Sequence, residues 1–213
     1  MSGHTTQRSG ARLEFWYEFA STYSYLAVMR IEAAAAAAGV EVRWRPFLLG
    51  PVFMALGWND SPFNIYPPKG RYMWRDLARL ADKYGLPFRL PSQFPRNGLL
   101  GARVALVGVD GGWVAPFSRA VMQANFAEDR DIGDRRVIAD LLGALGLPVD
   151  DILVQAETPQ NKQALRVQTE RAAEIGLFGA PSFRVGEELF WGNDRLEDAL
   201  AWALAHPPSA DSA

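Results

Sequence analysis

The 213-residue chain contains no cysteine. Disulfide bonds, thiolate metal ligands and cysteine nucleophiles are therefore excluded. Only two histidines are present, His4 and His206, one near each end of the chain. Neither is placed to act as a base for a serine nucleophile, and no G-x-S-x-G segment occurs, so a Ser-His-Asp hydrolase is not predicted.

The chain also lacks an excess of positive charge, because 22 basic and 24 acidic residues give a formal net charge of -2. Such a protein has no large positive field that would attract phosphates, so we expect neither a nucleic acid nor a membrane as its partner. No apolar run is long enough to span a bilayer, and the polar N-terminal segment lacks the apolar region of a secretory signal. These absences predict a cytoplasmic protein that binds a small molecule.

The first part of the sequence predicts a strand, a helix and a second strand. Leu13–Phe19 is apolar and aromatic, which is typical of a short strand. Tyr23–Ala38 contains an alanine run that favours a helix, and Gly39 is a natural stop. Val40–Phe47 alternates apolar and polar residues, as a half-buried strand does. A connection of this kind normally joins parallel strands.

The span from about residue 50 to 150 contains no convincing strand and predicts an all-helical block. Its first segment, Leu49–Gly70, is rich in proline, glycine and aromatic residues. We expect it to be an ordered loop with a short helix near Val52–Leu56. Apolar periodicity predicts further helices over Tyr72–Tyr84, Gly98–Val109, Pro116–Phe126 and Asp134–Leu145.

The last part of the sequence returns to mixed structure. Thr158 followed by Pro159 marks the start of a helix that runs to about Ile175. A two-strand hairpin is predicted over Pro181–Trp191, and a final helix follows it. Without the helical block, the order of elements is that of the thioredoxin fold.

The predicted architecture is therefore an α/β, thioredoxin-like domain that carries a large all-helical insertion. We assign residues 12–49 and 151–206 to the thioredoxin-like domain and residues 50–150 to the insertion. Residues 1–11 and 207–213 are expected to be flexible tails.

Ser21 is the first candidate for chemistry, because it lies between the first predicted strand and the helix that follows. The first turn of a helix has free N–H groups and a positive dipole end, which favour an anion. One interpretation is that Ser21 only caps this helix. The other is that its hydroxyl donates a hydrogen bond to an anion bound there.

Two further stretches could form a site together with Ser21. In Phe178–Phe183, the Ala180–Pro181 bond could be cis, as a minority of such bonds are. In Trp191–Glu197, Asp194 and Glu197 have the spacing of a helix capping box. The alternative for this stretch is that Asn193 and Asp194 offer polar groups to a ligand.

Taken together, these stretches resemble a known family. The chain resembles 2-hydroxychromene-2-carboxylate isomerases and kappa-class glutathione transferases, in the DsbA-like branch of the thioredoxin fold, from Leu13 to Leu204. The stretches that carry the resemblance are EFASTYSYLA, RPFLLGPVF, SPFNIYPPKGRYMWRDLARLA, FPRNGLLGARVAL, GLFGAPSF and FWGNDRL. One departure is Thr22, which stands where the family often has proline.

The resemblance implies glutathione as the cofactor and assigns its ligands. Ser21 corresponds to the family's serine that contacts the glutathione sulfur, and Ala180, before a cis Pro181, to the residue whose backbone pairs with the cysteinyl group. Asn193 and Asp194 correspond to the pair that holds the γ-glutamyl end.

The resemblance also implies residues that line the site in the middle of the chain. These are Phe53, Asn64 and Lys69, although Asn59 competes with Asn64 for its assignment. Where the family commonly carries a lysine, this chain has Phe53 and Met54. A charged substrate carboxylate would lose that partner.

The function implied is that of a glutathione-dependent isomerase acting on 2-hydroxychromene-2-carboxylate or a related aromatic or apolar electrophile. Ser21 would stabilise the glutathione thiolate, which would add to the substrate and leave again. A kappa-like glutathione transferase, whose adduct leaves as product, is an alternative, and so is a non-catalytic glutathione-binding or interaction protein. The resemblance further implies a homodimer.

Overall fold

The computed structural model describes residues 10–207, so the predicted tails lie largely outside the described residues. One four-stranded sheet has the order β2-β1-β3-β4, in which β1 is parallel to β2 and antiparallel to β3. Its strands are β1 (Arg12–Tyr17), β2 (Glu41–Pro46), β3 (Ser182–Val185) and β4 (Glu188–Trp191). The predicted thioredoxin order of strands and helices is confirmed.

Helices cover both faces of the sheet and form most of the insertion. They are α1 (Thr22–Ala38), α2 (Leu49–Ala55), α3 (Pro62–Ile65), α4 (Pro67–Lys83), α5 (Leu99–Gly111), α6 (Val114–Phe126), α7 (Arg135–Ala144), α8 (Val149–Ala156), α9 (Pro159–Glu174) and α10 (Leu196–Ala205). Across residues 10–207, none of the helices is both long and apolar enough to cross a membrane.

Several helices begin and end where local sequence signals predict. The α1 helix ends at Gly39, which adopts a φ of 70°, a conformation that residues with a Cβ rarely tolerate. The α9 helix begins after Thr158, whose side chain accepts a hydrogen bond from the Asn161 N–H, and Pro159 occupies its first turn. Similarly, the Asp134 carboxylate caps α7.

The short helix predicted near Val52–Leu56 is confirmed as α2, but the prediction of a loop for the rest of Leu49–Gly70 is wrong, since α3 and the first turn of α4 occupy much of it. Proline lacks an N–H group but is well tolerated in the first turn of a helix, where that group has no partner within the helix. Pro62 and Pro67 take this position in α3 and α4. As a result, α4 begins well before the predicted Tyr72.

The central strand β1 sends alternate side chains to two cores. Leu13, Phe15 and Tyr17 are fully buried in the larger core, which α1, α5, α6 and α10 complete. Trp16 lies on the other face with residues of α2 and α9. The Tyr17 hydroxyl and the Ser118 Oγ are 2.7 Å apart and join β1 to the helical insertion.

Candidate functional site

A cavity of about 1130 Å³ lies beside the loop that joins β1 to α1. We call one part of its lining the polar wall, which consists of Glu18, Ser21, Ala180, Asn193 and Asp194. The other part comes from the helical insertion, and we call it the aromatic wall; its members are Phe53, Trp58, Phe63, Tyr72 and Phe94. The cavity therefore combines groups suited to a polar ligand with a surface suited to an apolar one.

Ser21 is the N-cap of α1 and faces the loop before β3. Its Oγ accepts a hydrogen bond from the Ser24 N–H at 3.3 Å and donates one to the Ala180 carbonyl at 2.9 Å. The interpretation of Ser21 as a cap is thus confirmed, and contact with an anion stays a prediction. No acidic side chain stands in the first turn of α1 to offset the positive end of its dipole.

The peptide bond between Ala180 and Pro181 is cis, as the sequence suggested. Ala180 lines the cavity, whereas Pro181 is buried behind it and accepts the Gly192 N–H at 3.0 Å. A second cis bond, Phe94–Pro95, also lies on the cavity and was not predicted.

Asn193, a residue of the polar wall, has a buried side-chain donor without a partner among the described residues. The residue is only 2% exposed, and its Oδ1 accepts a hydrogen bond from Arg30 at 2.9 Å. Because the Arg30 guanidinium can only donate, the Oδ1 must face it. The Nδ2 of Asn193 is then left buried without a partner among the described residues. The Tyr84 ring, 3.8 Å below the Arg30 guanidinium, helps to hold this arrangement.

Asp194 lies beside Asn193 and is exposed, with its carboxylate 3.2 Å from Arg195. The predicted capping box is wrong. Residues 193–195 form a separate 3-10 turn, and α10 begins after Arg195 without a side-chain cap. Glu197 instead pairs with Arg30. The carboxylate of Asp194 is therefore available at the cavity.

The predicted residues Phe53 and Lys69 both line the cavity. The Phe53 ring packs on Trp58, with centroids 5.6 Å apart. Lys69 is exposed, with its Nζ 5.8 Å from the centre of the Phe63 ring, and enters no ion pair with any residue in the described range. The cavity lining beside the aromatic wall thus has one cation without a carboxylate partner among the described residues.

Asn64 does not reach the cavity lining. Its side-chain amide instead donates to the Asp60 carboxylate at 3.1 and 3.2 Å. Asn59, the competing residue, lies on the lining together with Asp60. A role for Asn64 in contact with a ligand therefore stays a prediction without geometric support, because its amide is already engaged.

Glu18 lines the cavity next to Ser21, and sequence reasoning did not single it out. Removal of its carboxyl group from water raises the pKa to about 7, although a hydrogen bond from the Ala20 backbone opposes that rise. The only sequence signal is an acidic residue within the aromatic run Phe15–Phe19, three positions before Ser21.

The loop that carries Glu18 and Ser21 is tied to the insertion through a buried arginine. Arg96 donates to the Asn125 Oδ1 at 3.1 Å, and the Asn125 Nδ2 donates to the Phe19 carbonyl at 3.0 Å. The same guanidinium pairs with Asp129. This chain of hydrogen bonds holds the loop in place from beneath.

Tyr23 and Asp76 add a second polar pair to the cavity lining. The Tyr23 hydroxyl donates to the Asp76 carboxylate at 3.0 Å. Burial, followed by the hydrogen bond to Asp76, raises the pKa of the Tyr23 phenol. Tyr23 therefore stays protonated at neutral pH.

Comparisons with known proteins agree with this architecture. Residues 12–204 match the family described as DSBA-like thioredoxin domain. The chain is 29% identical over 193 residues to a 2-hydroxychromene-2-carboxylate isomerase of Sphingobium xenophagum, covering 90% of this chain and 97% of the relative. It is 25% identical over 209 residues to glutathione s-transferase kappa 2 of Caenorhabditis elegans, covering 92% of each chain.

A solved structure of a 2-hydroxychromene-2-carboxylate isomerase is also similar. It superposes on this chain with a TM-score of 0.81 at 25% identity, covering 95% of this chain and 100% of that one.

Proposed function

The chain belongs to the DSBA-like thioredoxin domain family, and from this premise we propose that it is a glutathione-dependent isomerase. Its substrate would be 2-hydroxychromene-2-carboxylate or a related aromatic or apolar electrophile. Disulfide exchange is not available to it, because the chain has no cysteine. Its relatives include both isomerases and glutathione transferases, which supports an enzyme that uses the thiol of a bound molecule.

The observation that carries the proposal is the position of the Ser21 hydroxyl. It lies at the N-terminus of the 17-residue helix α1 and is hydrogen-bonded at 2.9 Å to the carbonyl before the cis proline. A sulfur anion placed here would meet both a hydroxyl donor and the positive end of a helix dipole. Glutathione would supply the sulfur that the protein lacks.

Binding of glutathione would redirect the Ser21 proton. A hydroxyl has one proton to donate, and in the free protein that proton is used on Ala180. If the cysteinyl N–H of glutathione takes the Ala180 carbonyl, the proton can turn towards the sulfur. The Oγ would keep its hydrogen bond from the Ser24 N–H throughout.

These groups are strong enough to change the ionisation of the thiol. A free thiol has a pKa near 8.5, so little of it is thiolate at neutral pH. A hydrogen bond to a charged group contributes roughly 1.5–3 kcal/mol, which corresponds to a fall in the thiol pKa on the order of 1–2 units. The thiolate would then be a major form of bound glutathione at neutral pH.

The remaining polar groups fit the γ-glutamyl end of glutathione. The buried Asn193 Nδ2 has no partner among the described residues and could donate to the glutamyl carboxylate. The exposed Asp194 carboxylate could accept from the α-ammonium group. Burial of an unpaired donor is costly, so a ligand that satisfies the Asn193 amide gains affinity.

The aromatic wall fits a planar, largely apolar substrate, and Lys69 could bind a carboxylate on it in place of the lysine that the chain lacks near Phe53. The bound thiolate would add to a conjugated double bond, rotation would follow, and elimination would return glutathione unchanged. Replacing Lys69 with methionine should raise the KM for a carboxylate substrate while thiolate formation stays the same.

The direct test is a pH titration of bound glutathione, followed by its thiolate absorbance in the ultraviolet. Ser21→Ala should raise the thiol pKa by about 1–2 units, while glutathione still raises the melting temperature of the protein. Ser61→Ala is a matched control, because it removes another N-cap hydroxyl on the cavity lining. Unchanged ionisation in Ser21→Ala would contradict the role of Ser21, and a wild type without any thermal shift would contradict glutathione binding.

A kappa-like glutathione transferase is the second candidate. It is favoured by Phe53 and Met54, which leave the position of the family's usual lysine without a cation. Mass spectrometry of the products separates the two reactions, because a transferase releases a glutathione conjugate and an isomerase releases glutathione itself.

A further inference from the structure

Glu18 differs from the other acidic residues on the cavity lining. Asp60 accepts hydrogen bonds from Asn64, Asp76 accepts one from Tyr23, and Asp194 pairs with Arg195. Glu18 enters no ion pair with any residue in the part of the chain that the structure describes. Its carboxyl group accepts from the Ala20 backbone, and the residue is only partly exposed.

The backbone holds Glu18 in a fixed relation to Ser21. The Ser21 N–H donates to the Glu18 carbonyl at 3.1 Å, and the Glu18 N–H lies 3.5 Å from the Ser24 Oγ. On the opposite side, a Cβ built on Gly98 would lie 3.2 Å from the Glu18 Oε1. The carboxyl group is therefore confined between the turn that carries Ser21 and the start of α5.

We propose that Glu18 is the proton-transfer residue of this cavity, which takes the thiol proton of bound glutathione and later exchanges a proton with the substrate. This inference rests on the proposed function. Neither the cap of α1 nor the packing of the loop requires a carboxyl group at position 18, so a role in proton transfer accounts for its presence there.

The proposed steps conserve atoms and charge. The S–H bond breaks as an O–H bond forms on Glu18, which leaves a thiolate and a neutral acid. The thiolate forms a C–S bond with the substrate, the π electrons move to the conjugated carbonyl as an enolate, and Glu18 gives the enolate its proton. In elimination, Glu18 takes that proton back, the C–S bond breaks and the double bond re-forms.

The surroundings of Glu18 suit a carboxyl group that must both accept and donate a proton near neutral pH. Burial raises the pKa of Glu18 to about 7. The hydrogen bond from the Ala20 backbone opposes this rise. Other charged groups line the same cavity. Of these, Arg96, Lys69 and Arg195 favour the carboxylate, whereas Asp60, Asp76 and Asp194 favour the acid.

The experiment measures how many protons are released into solution for each glutathione thiolate that forms on the protein. Glutathione alone is the probe, in weakly buffered solution at about pH 7.5, where its free thiol is mostly protonated. An indicator dye reports released protons, and ultraviolet absorbance reports the thiolate. Wild type should release well under one proton per thiolate, since Glu18 keeps it, whereas Glu18→Gln should release about one.

Three variants separate the effects of charge, structure and the carboxyl group itself. Glu18→Gln keeps an oxygen that accepts the Ala20 N–H, so a purely structural role of Glu18 would leave the proton count unchanged. Asp140→Asn removes one negative charge on the insertion, outside the cavity lining, and should behave like wild type. Glu18→Asp, which keeps the carboxylate, should restore a count below one.

The outcomes separate this proposal from the proposed function. A thiolate band in wild type with equal proton counts in wild type and Glu18→Gln overturns the role of Glu18 alone. Absence of a thiolate band in wild type overturns both. If Glu18→Gln does not fold, infrared difference spectra of wild type decide, because glutathione binding should add the C=O stretch of a protonated carboxyl group, and its absence contradicts the proposal.

Discussion

The polar wall and the aromatic wall of the cavity are built in different ways. The polar wall depends on backbone geometry, since it uses the first turn of α1, the cis bond before Pro181 and the unusual φ of 116° at Gly192. The aromatic wall depends on side chains that the short helices α2 and α3, the start of α4 and the loops at Trp58 and Phe94 present. The comparison suggests that glutathione and substrate recognition can be changed separately by mutation.

The two walls are also joined differently to the rest of the fold. Arg96 and Asn125 hold the loop of the polar wall by hydrogen bonds, whereas α3 is held against α4 by close backbone contact at Gly70. Four substitutions test how far these regions act independently.

The largest effect is expected for Gly70→Ala. A Cβ at this position would lie 2.3 Å from the backbone oxygen of Phe63, so α3 must move away from α4. We expect the free energy of unfolding to fall by about 2–3 kcal/mol in denaturant titrations. Thiolate formation should persist, because the polar wall is not touched.

Gly50→Ala is the matched control for that change. Gly50 lies in α2 with nothing within 4 Å of its ideal Cβ, so alanine should be neutral or stabilising by up to about 1 kcal/mol. Equal stability of the two variants would show that the contact of Gly70 with Phe63 does not position α3.

Ser21→Cys tests whether the polar wall stabilises an anion, because it places a thiol on the protein itself at the N-terminus of α1. The N-terminus of α1 should lower the pKa of this thiol by about 1–2 units from its usual 8.5, as read from the pH dependence of its alkylation rate. Ser24→Cys, at a fully buried position, should alkylate much more slowly. A pKa at or above 8.5 at position 21 would show that the helix end does not stabilise an anion.

Phe53→Ala should weaken the binding of apolar ligands to the aromatic wall, while glutathione still binds to the polar wall. Loss of the ring that packs on Trp58 should weaken binding of a neutral naphthalene fluorophore about fivefold, which corresponds to about 1 kcal/mol. The Kd for glutathione should stay within about twofold. Trp202→Ala, on α10 and outside the cavity lining, should change neither. A similar loss of affinity for both ligands would mean that the two walls are coupled.

The smallest effect is expected for the stability of the protein towards acid. It concerns Asp129, which pairs with Arg96 beneath the loop of the polar wall. Hydrogen bonds from Ser92 and Arg96 lower the pKa of Asp129 to about 2. The folded state therefore binds this proton less readily than the unfolded chain, so the stabilisation is present above about pH 4 and is lost as the pH falls towards 2. Asp129→Asn should flatten the acid unfolding curve in this range.

Asn is a suitable replacement at position 129, because the φ of 57° there lies in a region that asparagine tolerates. Asp140→Asn serves as the control, since Asp140 is an exposed partner of Arg130 on the insertion. If Asp140→Asn flattens the curve as much as Asp129→Asn, the pairing of Asp129 with Arg96 has no special role in acid stability.

Local sequence patterns predicted the order of strands and helices and one residue of the site, Ser21. The order of strands, the cap of α1 at Ser21 and the start of α9 at Thr158 follow from signals within a few residues. The positions of Ala180, Asn193 and Asp194 on the cavity came from family resemblance. Their roles as ligands remain predictions.

The helical insertion was predicted less accurately for a physical reason. Proline and aromatic residues in Leu49–Gly70 are typical of loops, but prolines also suit the first turn of a helix, and the pattern alone does not separate the two. The side chain of Asn64, next to Asp60, illustrates the same limit. Which of Asn59 and Asn64 faces the cavity depends on the orientation of one short helix.

By itself, the sequence determined that no cysteine chemistry occurs on this chain, that its elements follow the thioredoxin order and that a serine begins α1. These properties depend on composition and on contacts between near neighbours. Only the tertiary structure decided that the carboxyl group of Glu18 lies between the turn of Ser21 and the start of α5, that the Asn193 amide is held by Arg30 and that Lys69 lacks an acidic partner among the described residues. Each depends on groups brought together from distant parts of the chain, and partial burial then raises the pKa of Glu18.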